Sequence, residues 1–167
     1  MAKRLTTAIG DIFSIQINEN AKRFFQLVAF DPLQLNSDVI RCFSKSYALD
    51  ISPEMESIVS DEVLFYAHCA TKLGLNMNVW TKVGKSKDIG NPQKILFRGT
   101  DDYGTKLGES PISTSSNWYV WQIGDEEFSH VGKLEGKNKN SYVGLIINPL
   151  GILELSKGNK YPVNYPD

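Results

Sequence analysis

Alternating apolar and polar positions run through the first third of the chain and predict strands. Residues 11–18 alternate phenylalanine and isoleucine with polar side chains, which is the pattern of a half-buried strand. The run 22–30 is rich in aromatic and apolar residues and follows a turn-like segment, so the two runs predict an opening antiparallel hairpin. After the break at Asp31-Pro32, residues 39–47 predict a third strand.

The rest of the chain continues this β pattern. Residues 63–71 are apolar on both faces, as expected of a central strand. Further β-like runs, separated by glycine, asparagine, aspartate and proline, cover 79–83, 95–98, 118–123, 127–131 and 141–147. The spacing predicts a mainly β fold (β-rich α+β), in which a strongly bent antiparallel sheet or a small barrel carries two short helices.

Capping residues place the two helices. Ser52-Pro53 supplies an N-cap and a proline at the first helical position, so a helix is expected over about 53–60. Asn148-Pro149 and Gly158 bracket a second helix near the end of the chain. Residues 99–117 have little periodic hydrophobicity and predict a long surface loop, a kind of segment in which binding sites are common.

Length and composition limit the number of domains and the expected cellular location of the protein. The 167 residues contain neither an internal repeat nor a linker, which predicts a single domain over 1–167. No apolar run is long enough to cross a membrane, and the basic start of the chain lacks the apolar core of a secretory signal. Cys42 and Cys69 lie in apolar stretches and are interpreted as buried thiols in a reducing compartment, so we expect a cytoplasmic protein.

Charge and motifs argue against several activities. Lysine and arginine total 18 against 19 acidic residues, and this balance argues against a nucleic-acid partner. No phosphate-binding loop, kinase motif or nucleophile elbow occurs, and neither His68 nor His130 has a second metal ligand at helical spacing. We therefore predict no catalytic residues, no metal and no cofactor. A hydrolase that uses a histidine and carboxylates is the enzymatic alternative.

The aromatic group Trp118, Tyr119 and Trp121 is the first candidate for partner binding. Alternation places Trp118 with Val120 on one face of a strand and Tyr119 with Trp121 on the other. One face is expected in the core. The other either packs as well or provides an aromatic anchor for a protein partner.

Charged loop residues are the second candidate. The carboxylates of Asp101, Asp102, Asp125, Glu126 and Glu127 could serve acid–base chemistry or bind a cation, and the favoured interpretation is that they are solvated loop charges or close local turns. Lysines 133, 137 and 139 surround a turn and could attract phosphate, but Glu135 interrupts them, so a solvated hairpin tip is the favoured interpretation.

Two short motifs suggest a family. Gly10-Asp11-Ile12-Phe13-Ser14-Ile15, Trp80-Thr-Lys-Val-Gly84 and the order of the strands between them resemble the bacterial immunity-protein family numbered twenty-six (immunity protein 26), which occurs with polymorphic toxins. The likeness covers about residues 8–125, and a hairpin and helix over about 126–167 lie beyond it. The resemblance implies a cytoplasmic protein that binds a cognate toxin and neutralises it sterically and partly electrostatically. An aromatic anchor would exclude water, and the loop carboxylates at 101, 102 and 125–127 would face basic groups on the toxin. The alternative is a small-ligand or nucleic-acid-binding β module.

Overall fold

The structure is a computed structural model, and it describes residues 5–102, 107–161 and 164–167. Three helices lie in these residues: α1 (Met55–Val59), α2 (Thr71–Asn76) and α3 (Pro149–Ser156). The strands are β1 (Asp11–Gln16), β2 (Ala21–Asp31), β3 (Ser37–Phe43), β4 (Tyr47–Ala48), β5 (Val63–Cys69), β6 (Trp80–Lys85), β7 (Leu96–Gly99), β8 (Trp118–Gln122), β9 (Ser129–Gly132), β10 (Tyr142–Val143) and β11 (Ile146–Ile147).

The strands form two sheets. Sheet A has the order β11-β5-β3-β2-β1-β6, with β4 paired to the start of β2, and sheet B has the order β10-β7-β8-β9. The pairs β10–β7 and β11–β5 are parallel, and the other pairs are antiparallel. The mainly β prediction is confirmed. Of the two predicted shapes, the bent sheet fits, because neither sheet closes into a barrel.

Sheet A is covered on both faces, and strand alternation assigns its side chains to two sides. Ile40 and Cys42 of β3 face the side that α3 covers with Ile152 and Leu155. The opposite side is divided between two partners. One half packs against sheet B through Val28, Val39, Tyr66, Phe97 and Trp121, and the other half packs against α1 through Ile12, Phe24, Phe43, Ile58 and Val59.

The helix predictions have different outcomes. For α3 the caps are as predicted: Asn148 Oδ1 accepts a hydrogen bond from Gly151 N at 2.8 Å, and Gly158 has a φ of +89°. Helix α1 begins later than expected, and Glu54, not Ser52, occupies its cap position without a side-chain hydrogen bond. None of the helices in the described part of the chain has the length and apolar character needed to span a membrane.

Two predicted strands are divided in the structure. The run 39–47 ends at Phe43, and Tyr47 begins β4. The run 141–147 contains β10 in sheet B and β11 in sheet A, so these few residues cross from one sheet to the other. Gly144 lies at the crossing, and a Cβ there would stand 1.9 Å from the Trp121 ring. The close approach of the backbone to this ring therefore requires glycine.

Candidate functional site

The aromatic residues of β8 are distributed over both faces of sheet B. Trp118 and Trp121 are each 1% exposed, and Tyr119 is half-buried. Sheet A covers the face of Trp121, and the opposite face is covered by residues near the loop 107–117 and near the end of the chain. Of the two alternatives for this group, packing therefore holds for both tryptophans, and neither ring is an exposed anchor in the isolated chain.

Trp121 is fixed between the sheets by rings and one hydrogen bond. Its ring lies 4.9 Å from that of Phe128 and 6.0 Å from that of Phe97, measured between centroids. Its indole N–H donates to the buried carboxylate of Asp31 at 3.3 Å. The hydrogen bond compensates the polar end of the side chain, so the ring can be buried without an unsatisfied donor.

Asp31, Ser37 and His68 form a polar cluster beside Trp121. His68 Nδ1 lies 3.1 Å from Ser37 Oγ, and its Nε2 lies 3.9 Å from Asp31 Oδ2, which is too long for a hydrogen bond. Burial lowers the pKa of His68 to about 4, against the opposing effect of Asp31, so the ring is neutral at pH 7.

This cluster has the residue types of a Ser-His-Asp triad but is almost entirely buried. Ser37 is 7% exposed and the other two side chains are 0% exposed, enclosed between sheet A and sheet B. A substrate cannot reach the hydroxyl in this arrangement. The geometry supports a structural role, in which Asp31 accepts the hydrogen bond from Trp121 and Ser37 bonds to the His68 ring.

The proximity of Asp31, Ser37 and His68 was not predicted from the sequence alone. Asp31 pairs with Ser37 across β2 and β3, and His68 lies on β5, whose register against β3 places it opposite Val39. Such grouping depends on strand order and register, which connect distant parts of the chain. The only sequence signal was Asp31 itself, a carboxylate at the end of an apolar run.

The candidate carboxylates occupy two separate places. Asp101 and Asp102 follow β7, and the group 125–127 follows β8. These strands are antiparallel, with Gly99 opposite Tyr119 at one end and Leu96 opposite Gln122 at the other. The two acidic groups therefore lie beyond opposite ends of one strand pair, whose three residue steps alone span roughly 10 Å at about 3.4 Å per residue. They cannot form one continuous acidic patch.

Two of the five carboxylates are engaged in local hydrogen bonds. Asp102 Oδ2 accepts hydrogen bonds from Ser115 Oγ at 2.8 Å and from Asn117 Nδ2 at 2.9 Å. These bonds connect the residues that follow β7 to those that precede β8. Asp125 Oδ2 accepts from the backbone N of Gln122 at 2.8 Å and closes the β8–β9 turn. The local-turn interpretation holds for both. Asp101, Glu126 and Glu127 are exposed.

The β8–β9 turn is attached to the β2–β3 turn of the other sheet. Gln34 Nε2 donates to the backbone oxygen of Asp125 at 2.7 Å. Leu33, on the same β2–β3 turn, is 54% exposed. We call Leu33, Gln34 and the acidic residues 125–127 the joined-turn surface. It combines an exposed leucine with two exposed carboxylates on a base that hydrogen bonds hold in place.

The remaining reactive groups are the two cysteines and any set of side chains that could bind a metal ion. Cys42 and Cys69 are buried, as predicted, and neither forms a disulfide. Burial raises the pKa of the Cys42 thiol to about 12 and that of Cys69 well above its usual value, so both are protonated at neutral pH. Within the described ranges, no group of three or more histidine, cysteine, aspartate or glutamate side chains is arranged to hold a metal ion.

The motifs that suggested a family lie side by side. Residues 10–15 and 80–84 belong to β1 and β6, which pair with Ile12 opposite Gly84 and Ile15 opposite Trp80. Comparisons with known proteins do not identify the family: no family model matches the chain, and no match was found among curated proteins or solved structures.

Proposed function

We propose that this protein is a cytoplasmic immunity protein that binds a cognate bacterial toxin and blocks it sterically, without performing chemistry. The proposal is supported first by the resemblance of residues 10–15 and 80–84 to immunity protein family twenty-six. Their pairing as adjacent strands makes them parts of one scaffold. We place the surface that contacts the toxin elsewhere on the protein.

The joined-turn surface is the observation that carries the proposal. Glu126 and Glu127 are exposed, and neither takes part in the ion pairs found among the described residues. Their carboxylates are therefore available to basic groups of a toxin, such as those of an enzyme that acts on nucleic acid. Such complementary charge speeds association and fixes orientation.

Leu33 adds an apolar contact beside these charges. Burying an exposed leucine side chain in an interface contributes on the order of 1–2 kcal/mol. Because Gln34 and Asp125 connect the two turns, little conformational freedom of the backbone would be lost on binding. A partly apolar, partly acidic surface on a fixed base is well suited to tight binding of a basic protein.

The test begins with identification of the partner. The tagged protein is purified from its own cells, with the neighbouring secreted proteins expressed, and bound proteins are identified by mass spectrometry. A single stoichiometric toxin domain is expected. The affinity of the isolated complex is then compared between the unmodified protein and the double variant Glu126→Lys/Glu127→Lys. We expect at least a tenfold loss of affinity, mainly through slower association.

Glu19→Lys is the matched control, because Glu19 is exposed on the β1–β2 turn, away from the joined-turn surface. It changes the net charge in the same direction and should leave affinity within about twofold. If no toxin partner is recovered, the proposed function is wrong. If a toxin binds and the double variant binds as tightly as the control, the function stands and the joined-turn surface is wrong.

A further inference from the structure

A second feature, independent of the proposed toxin binding, is a cleft on the outer face of sheet B. Its volume is about 460 Å³, within the range of small-ligand sites. Arg98 of β7 and Trp118 of β8 line it, and the guanidinium carbon of Arg98 lies 5.5 Å from the centroid of the indole ring. The Trp118 N–H donates to the Ser115 backbone oxygen at 3.1 Å, which fixes the ring as part of the cleft wall.

Three positive charges meet at this cleft: those of Arg98, Lys133 and Lys139. The ion pairs found among the described residues involve other groups, so none of the three charges is neutralised by a close carboxylate there. Asp167 also lines the cleft, and it forms none of these pairs. The local charge of the cleft is therefore positive, although the whole chain has a formal net charge of −1.

Arg98 has unused hydrogen-bonding capacity. Its Nη1 donates to the backbone oxygen of Ser141, whereas its buried Nε has no acceptor among the described residues. A buried donor without an acceptor is uncommon and costs free energy. A neighbouring anion would stabilise this guanidinium through its charge.

The lysines of the 133–139 segment are not equivalent. The sequence favoured the interpretation that all three lysines lie on a solvated hairpin tip. In the structure, Lys133 and Lys139 line the Arg98 cleft, whereas Lys137 lines a different depression on the surface. Thr114 and Ser116 add hydroxyl groups to the cleft, and Leu134 adds an apolar wall. The cleft therefore offers several donors and cations for an anionic group and apolar contact for an organic group.

We propose that this cleft binds a small organic phosphate. With the Asp167 carboxylate counted against Arg98, Lys133 and Lys139, the net charge of the cleft side chains is +2, which matches the double negative charge of a phosphate monoester better than the single charge of a carboxylate. In proteins, arginine and lysine side chains and hydroxyl groups are the side chains that usually donate hydrogen bonds to phosphate. Leu134, which is half-buried at the cleft, provides the apolar contact for the organic part of the ligand.

Calorimetric titration with adenosine monophosphate, at low ionic strength, tests this proposal on the full chain. We expect saturable binding of one molecule, with a dissociation constant between roughly 10 μM and 1 mM, as for a compact site with few convergent contacts. Adenosine without its phosphate should bind at least tenfold more weakly. In the nuclear magnetic resonance spectrum, the indole N–H of Trp118 should shift on titration, and that of Trp121 should not.

Variants of the exposed lysines localise the binding. Lys133→Gln and Lys139→Gln should each weaken binding at least fivefold, and both positions are exposed, so the fold should persist. Lys137→Gln is the control, since it removes the same charge from the same segment outside the cleft, and it should leave affinity within twofold. The proposal is wrong if adenosine monophosphate does not bind, if adenosine binds equally well, or if all three variants weaken binding alike.

Discussion

Trp121 and Trp118 lie three residues apart on β8 and are equally buried, but they are enclosed by different parts of the chain. Trp121 lies between the two sheets, with Phe97 of β7 against its ring and Asp31 of β2 at its N–H. Phe128 of the β8–β9 connection and Gly144 of the sheet crossing also contact this ring. Trp118 is covered by segments without regular structure, through Ser115 and Tyr165. We therefore expect the surroundings of Trp121 to be more rigid than those of Trp118, because strands are fixed by many distant contacts and loops by few.

The largest expected effect tests this difference directly. Trp121→Ala should lower the free energy of unfolding by about 3–5 kcal/mol, because the surrounding strands cannot collapse into the cavity. Trp118→Ala should cost about 1–2 kcal/mol less, because its cover can move inward. Urea denaturation of both variants provides the measurement. Equal losses would show that the two surroundings are equally rigid and would contradict the comparison.

The next effect concerns the histidine beside Trp121. The folded pKa of His68 is about 4, below its ordinary value of 6.5, so between these pH values the unfolded chain binds more protons. Stability should therefore fall as the pH is lowered through this window, by about 3 kcal/mol at pH 4. Urea denaturation at several pH values, compared with His68→Phe, isolates this contribution, since the variant cannot titrate there.

His130→Gln is the control for the pH series. His130 is the other histidine of the chain, and it is exposed and lies outside the cluster of Asp31, Ser37 and His68. A His68→Phe variant that loses as much stability between pH 6.5 and 4 as the wild type would show that His68 is not the group responsible.

The smallest expected effect lies at the loop that covers Trp118. Asp102→Ala removes the oxygen that accepts hydrogen bonds from both Ser115 and Asn117 and should cost about 1–2 kcal/mol. Hydrogen exchange of the indole N–H groups is the sharper measurement: exchange at Trp118 should accelerate at least fivefold, and exchange at Trp121 should change far less. The neighbouring Asp101 is exposed, so Asp101→Ala should change neither rate. Equal acceleration at both indoles would indicate general loosening instead.

Local signals in the sequence predicted the elements that depend on neighbouring residues. The caps of α3 at Asn148 and Gly158 and the alternation in β1 are examples, because a few adjacent residues determine them. Helix α2 was missed, since it is six residues long, lacks a side-chain cap and contains Gly74, which packs against Trp80. Tertiary contact stabilises this helix where its own sequence does not.

The candidate sites depended on distant contacts and were therefore harder to predict. The sequence identified the acidic residues 125–127 but could not show that Gln34 attaches their turn to another sheet. It also identified Lys133 and Lys139, whereas their convergence on Arg98 follows from the positions of β7, β9 and the following turn. Residue type was visible in the sequence, and proximity required the fold.

The crossing at Gly144 has a consequence for the way the chain is made. Tyr142 pairs with Phe97 and Ile146 pairs with His68, so the edges of both sheets receive their last strand from the end of the chain. During translation, β5 and β7 emerge long before these partners and expose unpaired backbone groups beside apolar side chains. Such open edges favour pairing with other chains. Premature termination before residue 142 would therefore release a product prone to aggregation.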